Sequence, residues 1–153
     1  MAAGRLESIN CSSGGVPKTG VFEALVTAEG VAGDGQRDLR YHGGPARAVS
    51  IFSLDVIRAL QAEGHPIGIG TTGENLTVSG LDWAALAIGH ELQIGDVRLR
   101  LTEYASPCEN IRHSFLGEDF TRISHKRFPG WSRLYARVLA GGVVRPGDPV
   151  DLL

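Results

Sequence analysis

Glycine divides this chain into pieces too short for long helices. Its 21 glycines are spread along 153 residues. Between them lie brief apolar runs, the pattern of a β-rich fold. Residues 6–11, 22–28 and 48–53 read as strands. Residues 91–94 and 97–102 flank Gly95-Asp96, a two-residue hairpin signal. Val97, Leu99 and Leu101 alternate with Arg98, Arg100 and Thr102, so one face is packed and the other is wet. Residues 132–139 alternate too, with Leu134, Ala136 and Val138 on one face. Residues 143–144 and 149–153 are further short strands, separated by a Pro146-Gly147-Asp148 turn. One helix interrupts the pattern. Ser53 is positioned to cap it, Leu54, Ile57 and Leu60 form its apolar stripe, and Gly64 ends it.

These elements predict a mainly β chain, a closed or partly closed barrel with a few short helices. Closure also hides strand edges that would otherwise pair with other chains. Residues 1–153 fit a single domain, which at this length buries about 68–70% of its unfolded surface. The net charge of -2 argues against binding a nucleic-acid polymer, which calls for a basic excess. No apolar run reaches the ~18 residues of a membrane-spanning helix. The first residues lack the hydrophobic stretch of a signal peptide, so a cytoplasmic location is expected. The two cysteines, Cys11 and Cys108, are too few for a disulfide framework and lack paired metal-site spacing.

Cys108 is the residue that carries most chemical promise. In Ser106-Pro107-Cys108-Glu109, serine can cap a helix, proline suits its first position and glutamate can close a capping box. Cys108 would then lie in the first turn, where amide donors and the helix dipole favour a thiolate. The dipole supplies only about 0.3–1 kcal/mol, so full ionisation needs a cation or a metal as well. Read locally, the segment equally fits a buried, inert cysteine.

Three glycine-bearing loops are candidate ligand contacts. Tyr41-His42-Gly43-Gly44-Pro45-Ala46-Arg47 could bring backbone N–H groups close to a ligand, flanked by His42 and Arg47. A tight turn needing positive φ explains it as well. In the 68–78 loop, Glu74 and Asn75 could orient a ligand or serve the loop's own backbone. Gly14-Gly15-Val16-Pro17-Lys18 offers a lysine for an anion. Between residues 110 and 137, Arg112, Arg122, Lys126, Arg127, Arg133 and Arg137 outnumber Glu118 and Asp119. That stretch is either a solvated face or an anion pocket. A zinc site from Cys108, His113 and His125 lacks paired spacing.

Taken in order, these segments resemble the MOSC domain, named for the C-terminal domain of molybdenum cofactor sulfurase, and above all its small stand-alone bacterial members. The resemblance rests on Gly14 to Lys18, then His42-Gly43-Gly44-Pro45 with Arg47, and Gly64-His65-Pro66. Gly73-Glu74-Asn75-Leu76-Thr77 and Ser106-Pro107-Cys108 follow. Pro129-Gly130-Trp131-Ser132-Arg133-Leu134-Tyr135-Ala136-Arg137-Val138 and Pro146-Gly147-Asp148 complete it. It implies a MOSC-type β-barrel that binds the molybdenum cofactor (molybdopterin), a pterin with a dithiolene and a terminal phosphate. A looser family-level association is with pyridoxal phosphate.

In the family's reductase members, the cysteine matching Cys108 ligates molybdenum, and N-hydroxylated compounds are the substrates. That resemblance assigns Cys108 as the catalytic and metal-binding residue. Lys18, His42, Gly43, Gly44, Arg47, Glu74, Asn75 and Arg133 become the cofactor-binding set. The expected partners are a small N-hydroxylated substrate and a separate electron-donor protein, since two cysteines cannot hold a four-cysteine iron–sulfur cluster. An appended electron-transfer domain or helical C-terminal extension is not expected within 1–153. Sulfurase-type members imply the alternative, a non-catalytic cofactor carrier or a sulfur-transfer module with a persulfide on Cys108. An interaction barrel without a cofactor is the third class. Cys11 has no assigned role.

Overall fold

The computed structural model describes residues 4–34 and 44–153. Eleven strands run in chain order: β1 (Gly4–Cys11), β2 (Thr19–Val21), β3 (Ala24–Thr27), β4 (Gly30–Val31), β5 (Val49–Ser53), β6 (Leu76–Ser79), β7 (Glu91–Ile94), β8 (Val97–Tyr104), β9 (Leu134–Ala140), β10 (Gly142–Val144) and β11 (Pro149–Leu152). The α-helix among the described residues is α1 (Leu54–Ala62), and short 3-10 turns carry much of the connecting chain.

The main sheet has eight strands in the order β11-β7-β8-β9-β5-β6-β1-β2, and a further β1–β11 pairing closes seven of them into a barrel. β1 makes closure possible by dividing one edge between two partners. Gly4 and Arg5 pair with Val150 and Pro149 of β11, while Ile9 to Cys11 pair with Val21 to Thr19 of β2. Its other edge runs along β6, with a register shift between Leu6 and Ser8. All neighbours are antiparallel except β5 and β6. That parallel pair is joined through α1, which supplies the crossover a parallel pair requires. Ser53 caps the helix as expected, accepting a bond from Val56 N–H at 3.2 Å. Leu54, Ile57 and Leu60 face inward.

Inward positions of the barrel fill its core. Leu6, Ile9, Ile51, Leu76, Leu92, Ile94, Leu99 and Leu101 are buried, and each contributes about 1.5–3 kcal/mol relative to exposure. The alternation read in β8 holds: Val97, Leu99 and Leu101 are buried while Arg98 and Arg100 are exposed. At the β7–β8 hairpin, the positive φ of 57° falls on Gly95. A smaller sheet, β10-β3-β4, stands beside the barrel.

Two expectations shift. The 22–28 strand begins only at Ala24, and Phe22 is 85% exposed. The helix expected from Ser106 is a six-residue 3-10 turn, Glu109–Ser114, whose cap position is Cys108 itself.

Candidate functional site

One cleft collects residues from five separated stretches of chain. Gly15, Val16, Lys18, Arg47, Ser50, Thr72, Gly73 and Asn75 form part of its lining, and Ser106, Cys108, Asn110, Ile111, Arg133 and Tyr135 form the rest. Barrel strands hold the last two rigidly, since Arg133 immediately precedes β9 and Tyr135 lies within it.

Glycine lets the first and third stretches meet. Lys18 N–H donates to Gly70 O at 2.9 Å. Gly70 has φ +78°, and a Cβ there would lie 2.2 Å from Lys18 O. Gly73, at φ +83°, is closed to a side chain by Val16 Cγ1 at 2.8 Å. Only glycine allows such approach in this backbone region.

Lys18 enters the wall as half of a buried ion pair. Its Nζ lies 2.6 Å from Asp34 Oδ2, with the two side chains 10% and 4% exposed. Asn75 Nδ2 donates to the same oxygen at 2.7 Å, and Ser12 N–H donates to Asp34 Oδ1 at 3.0 Å. Asn75 Oδ1 accepts from Ser50 N–H at 3.0 Å, which locks the carboxamide. Arg47 Nε donates to Glu103 Oε2 at 2.8 Å, and its guanidinium stands 5.4 Å from the Tyr135 ring centroid.

Arg133 is built differently. It is 8% exposed, and its Nη1 donates to Thr72 O at 2.7 Å. Its Nε has no hydrogen-bond partner among the described residues, and no carboxylate there pairs with it. Burial weakens the guanidinium's hold on its proton, while the fields of Tyr135, Glu74 and Cys108 support the charge. Arginine nevertheless remains protonated in proteins. Burial pushes the Tyr135 phenol above its usual value, and Arg133 and Arg47 oppose that rise.

Cys108 is a half-buried free thiol. Its backbone is extended, at φ -138° and ψ 174°, ahead of the 3-10 turn rather than inside a helix. Ser106 therefore does not cap a helix over Cys108, and the expected dipole contribution is lost. Arg133 lines the same cleft as Cys108, and Cys108 is among the groups whose fields act on its guanidinium.

Of the residues expected to form a site, Lys18, Arg47, Asn75, Cys108 and Arg133 share this cleft. Glu74 does not line it. Its carboxyl is fully buried behind the wall and accepts bonds from Gly70 N–H, Thr72 Oγ1 and Thr77 Oγ1 at 2.9–3.0 Å. Burial raises its pKa and those donors resist the rise. Glu74 thus braces the loop that carries Thr72, Gly73 and Asn75. Gly44, at φ 79°, precedes the Pro45–Arg47 turn without lining the cleft. His42 and Gly43 lie outside the described residues.

The basic stretch after residue 110 is mostly spent elsewhere. Arg122 is bidentate on Glu63 and lies over Trp131 and Phe128, and Arg112 pairs with Glu118. His125 stacks on Tyr104 at 3.5 Å. Among the described residues, no cluster of three or more His, Cys, Asp or Glu could hold a metal, and no helix is long and apolar enough to cross a membrane. Asp34, Ser50, Thr72, Glu103 and Tyr135 were not legible as site residues. Tyr135 stood in the motif that begins at Pro129 and, by the alternation of β9, opposite the packed face, but neither marked it as a site residue.

The fold and cleft define a closed β-barrel protein whose free thiol faces basic side chains. The MOSC domain family model matches residues 38–151. Uncharacterized protein YflK of Bacillus subtilis is 30% identical over 130 residues, covering 84% of this chain and 58% of the relative. Protein YiiM of Escherichia coli is 27% identical over 136 residues, covering 86% and 59%. The chain thus spans less than two thirds of the length of these relatives. Crystal structures of YiiM share the fold. The Geobacillus stearothermophilus protein superposes with a TM-score of 0.74 at 23% identity, covering 98% of this chain and 75% of that one. For the Escherichia coli protein the TM-score is 0.68 at 21% identity, covering 99% and 69%. This chain belongs to the MOSC domain family, which is generally associated with the molybdenum cofactor.

Proposed function

We propose that this protein binds the molybdenum cofactor, with Cys108 as its protein ligand to the metal, and reduces N-hydroxylated small molecules with electrons from a separate donor protein. The observation that carries the reading is the convergence of Cys108 with Lys18, Arg47 and Arg133 on one cleft. The donor set fits the group. A thiolate suits a soft metal centre, and the basic side chains suit an anionic pterin. With no multi-residue metal cluster among the described residues, a metal at Cys108 would take its remaining ligands from a cofactor. The cytoplasm is the setting we favour, where Cys11 and Cys108 stay as free thiols.

When bound, the cofactor supplies the two-electron chemistry that converts an N–OH group, with two protons, to N–H and water. The chain's own residues bind and orient. Lys18, Arg47 and Arg133 face the anionic ligand, and Asn75 is held rigid by Ser50 and Asp34. Val16 and Ile111 contribute apolar wall that excludes water from the reacting atoms. Tyr135 Oη keeps its proton at neutral pH, because burial raises its pKa, and so serves as a hydrogen-bond donor in the cleft.

Molybdenum and pterin content per chain tests this, with wild type and Cys108→Ala purified from a host rich in cofactor. Near-stoichiometric molybdenum in wild type and its loss from the variant are expected, together with turnover of N-hydroxylated substrates by the loaded protein. Folded wild type without molybdenum would overturn the reading. A persulfide on Cys108 in such a protein would establish the sulfur-transfer alternative.

A further inference from the structure

The Gly64-His65-Pro66 stretch follows the end of α1 and does not line the cleft. It nevertheless grips the chain that carries Cys108. Leu116 N–H donates to His65 Nδ1 at 3.0 Å. A backbone amide can only donate, so Nδ1 carries no proton and the neutral ring holds its own on Nε2. From there it donates to Glu63 Oε1 at 3.3 Å. The side chain is 8% exposed, and its ring meets that of Phe115 in a T, centroids 5.7 Å apart. Gly64 makes room for this contact. It has φ +98°, and a Cβ there would press on Leu116 Cδ1 at 3.3 Å.

Leu116 closes the stretch that forms one wall of the cleft. Cys108 caps the Glu109–Ser114 turn, and Cys108, Asn110 and Ile111 line the cleft. Ile111 and Phe115 are buried beneath that stretch. Ser114 Oγ ties it to Thr71 Oγ1 at 2.9 Å, and the His65 bond ties it to the end of α1. Just beyond Leu116 the backbone is under strain, since Glu118 holds φ +58°, a left-handed conformation that costs a non-glycine residue energy. The charged groups around the ring come from both sides. Glu63 follows α1, Asp119 lies within reach of the ring's field, and Arg122 is bidentate on Glu63. Arg127 stands 3.9 Å from Asp119. Histidine is the side chain that changes charge between about pH 5 and 8. With Nε2 already protonated, a second proton has only Nδ1 to go to.

From this geometry we propose that His65 is a proton-operated latch on the wall that presents Cys108. Neutral, it holds Leu116 and so fixes the turn that places Cys108, Asn110 and Ile111. Charged, it sets Nδ1–H against Leu116 N–H, two donors with no acceptor between them, and the wall loosens. The inference goes beyond the cofactor reading and needs no metal, because it concerns the chain alone.

Amide hydrogen exchange at Leu116 reads the latch, followed by NMR in the full chain and corrected for the intrinsic pH dependence of exchange. The His65 ring nitrogens are observed in the same samples. In wild type, protection of Leu116 should fall about tenfold as the ring gains its second proton, the order of one lost hydrogen bond. His65→Asn offers an acceptor oxygen near the place of Nδ1 and cannot be protonated, so its protection should stay high and flat over the same range. His65→Ala offers no acceptor, and its protection should be low throughout. Alkylation of Cys108 at one near-neutral pH, followed by peptide mass, is the second readout. It should run severalfold faster in His65→Ala than in wild type and at the wild-type rate in His65→Asn. Should His65→Ala fail to fold, the comparison of wild type with His65→Asn decides. A merely structural histidine would give unchanged protection of Leu116 while the ring titrates, and that result would overturn the proposal. So would a ring that stays neutral over the whole range, or an unaltered pH response in His65→Asn.

Discussion

Gly70→Ala tests the contact that builds one wall of the cleft. The new Cβ would sit 2.2 Å from Lys18 O and 3.2 Å from Lys18 C, at a backbone φ of +78°. Two penalties follow. The left-handed backbone costs an L-residue about 1–2 kcal/mol, and forcing a methyl into packed space costs about 1–3 kcal/mol more. The total, about 2–5 kcal/mol, corresponds to a Tm drop of about 4–20 °C for a chain of this size. Gly89→Ala is the control. Gly89 also has positive φ, +97°, but nothing lies within 4 Å of its would-be Cβ, so only the backbone cost of about 1–2 kcal/mol applies. Urea denaturation of both variants, at unchanged m, measures the difference. If Gly70→Ala costs no more than Gly89→Ala, the steric argument is wrong. In the expected case, amide shifts of Lys18 and Val16 move in the first variant alone.

Two further perturbations probe the wall. Glu74 has a folded-state pKa raised above its ordinary 4.5 by burial. Its contribution is therefore fully present below that ordinary value and is lost as pH rises through the folded value. Glu74→Gln should remove the slope, so the variant gains on wild type as pH rises; parallel stability profiles would refute this. Asp34→Ala strands Lys18 without its carboxylate and should cost about 3–5 kcal/mol, as for other broken buried pairs. Adding Lys18→Met should recover part of the loss, and a double variant no better than Asp34→Ala would show that the pair is not the cause.

Short-range rules made much of the barrel legible. β8 betrayed itself by strict alternation, α1 by Ser53 and its apolar stripe, and the β7–β8 hairpin by Gly95. The two-residue strand β4 and the three-residue β2 carry too little pattern to stand out, and their existence depends on the partners they meet. The Ser106-Pro107 signal misled because capping preference is local, whereas the extended backbone at Cys108 is set by how the segment joins the cleft wall. At the site, charged and reactive residue types were visible, but their partners were not. Asp34 and Glu103 lie 16 and 56 residues from the cations they neutralise, and no spacing rule connects them. Glu74 shows the reverse limit. A glutamate inside a glycine-rich loop looks like a ligand contact until its burial is known, and its three donors make it a brace. Arg133 stood in the basic stretch with Arg112 and Arg122. What distinguishes it is the absence of a carboxylate partner among the described residues, which only three dimensions reveal.

The division of β1 between two partners has a consequence for biosynthesis. The seam that closes the barrel joins residues 4 and 5 to residues 150 and 149, far apart in sequence. A chain emerging from the ribosome can lay β1 against β2 early and against β6 later. It cannot close until β11 clears the exit tunnel. Until then β7 and the first residues of β1 are open edges, the kind that recruit other strands. Translation pausing or truncation before residue 149 would lengthen the life of that open sheet, so the arrival of residues 149 and 150 governs how long its edges stay available to other strands.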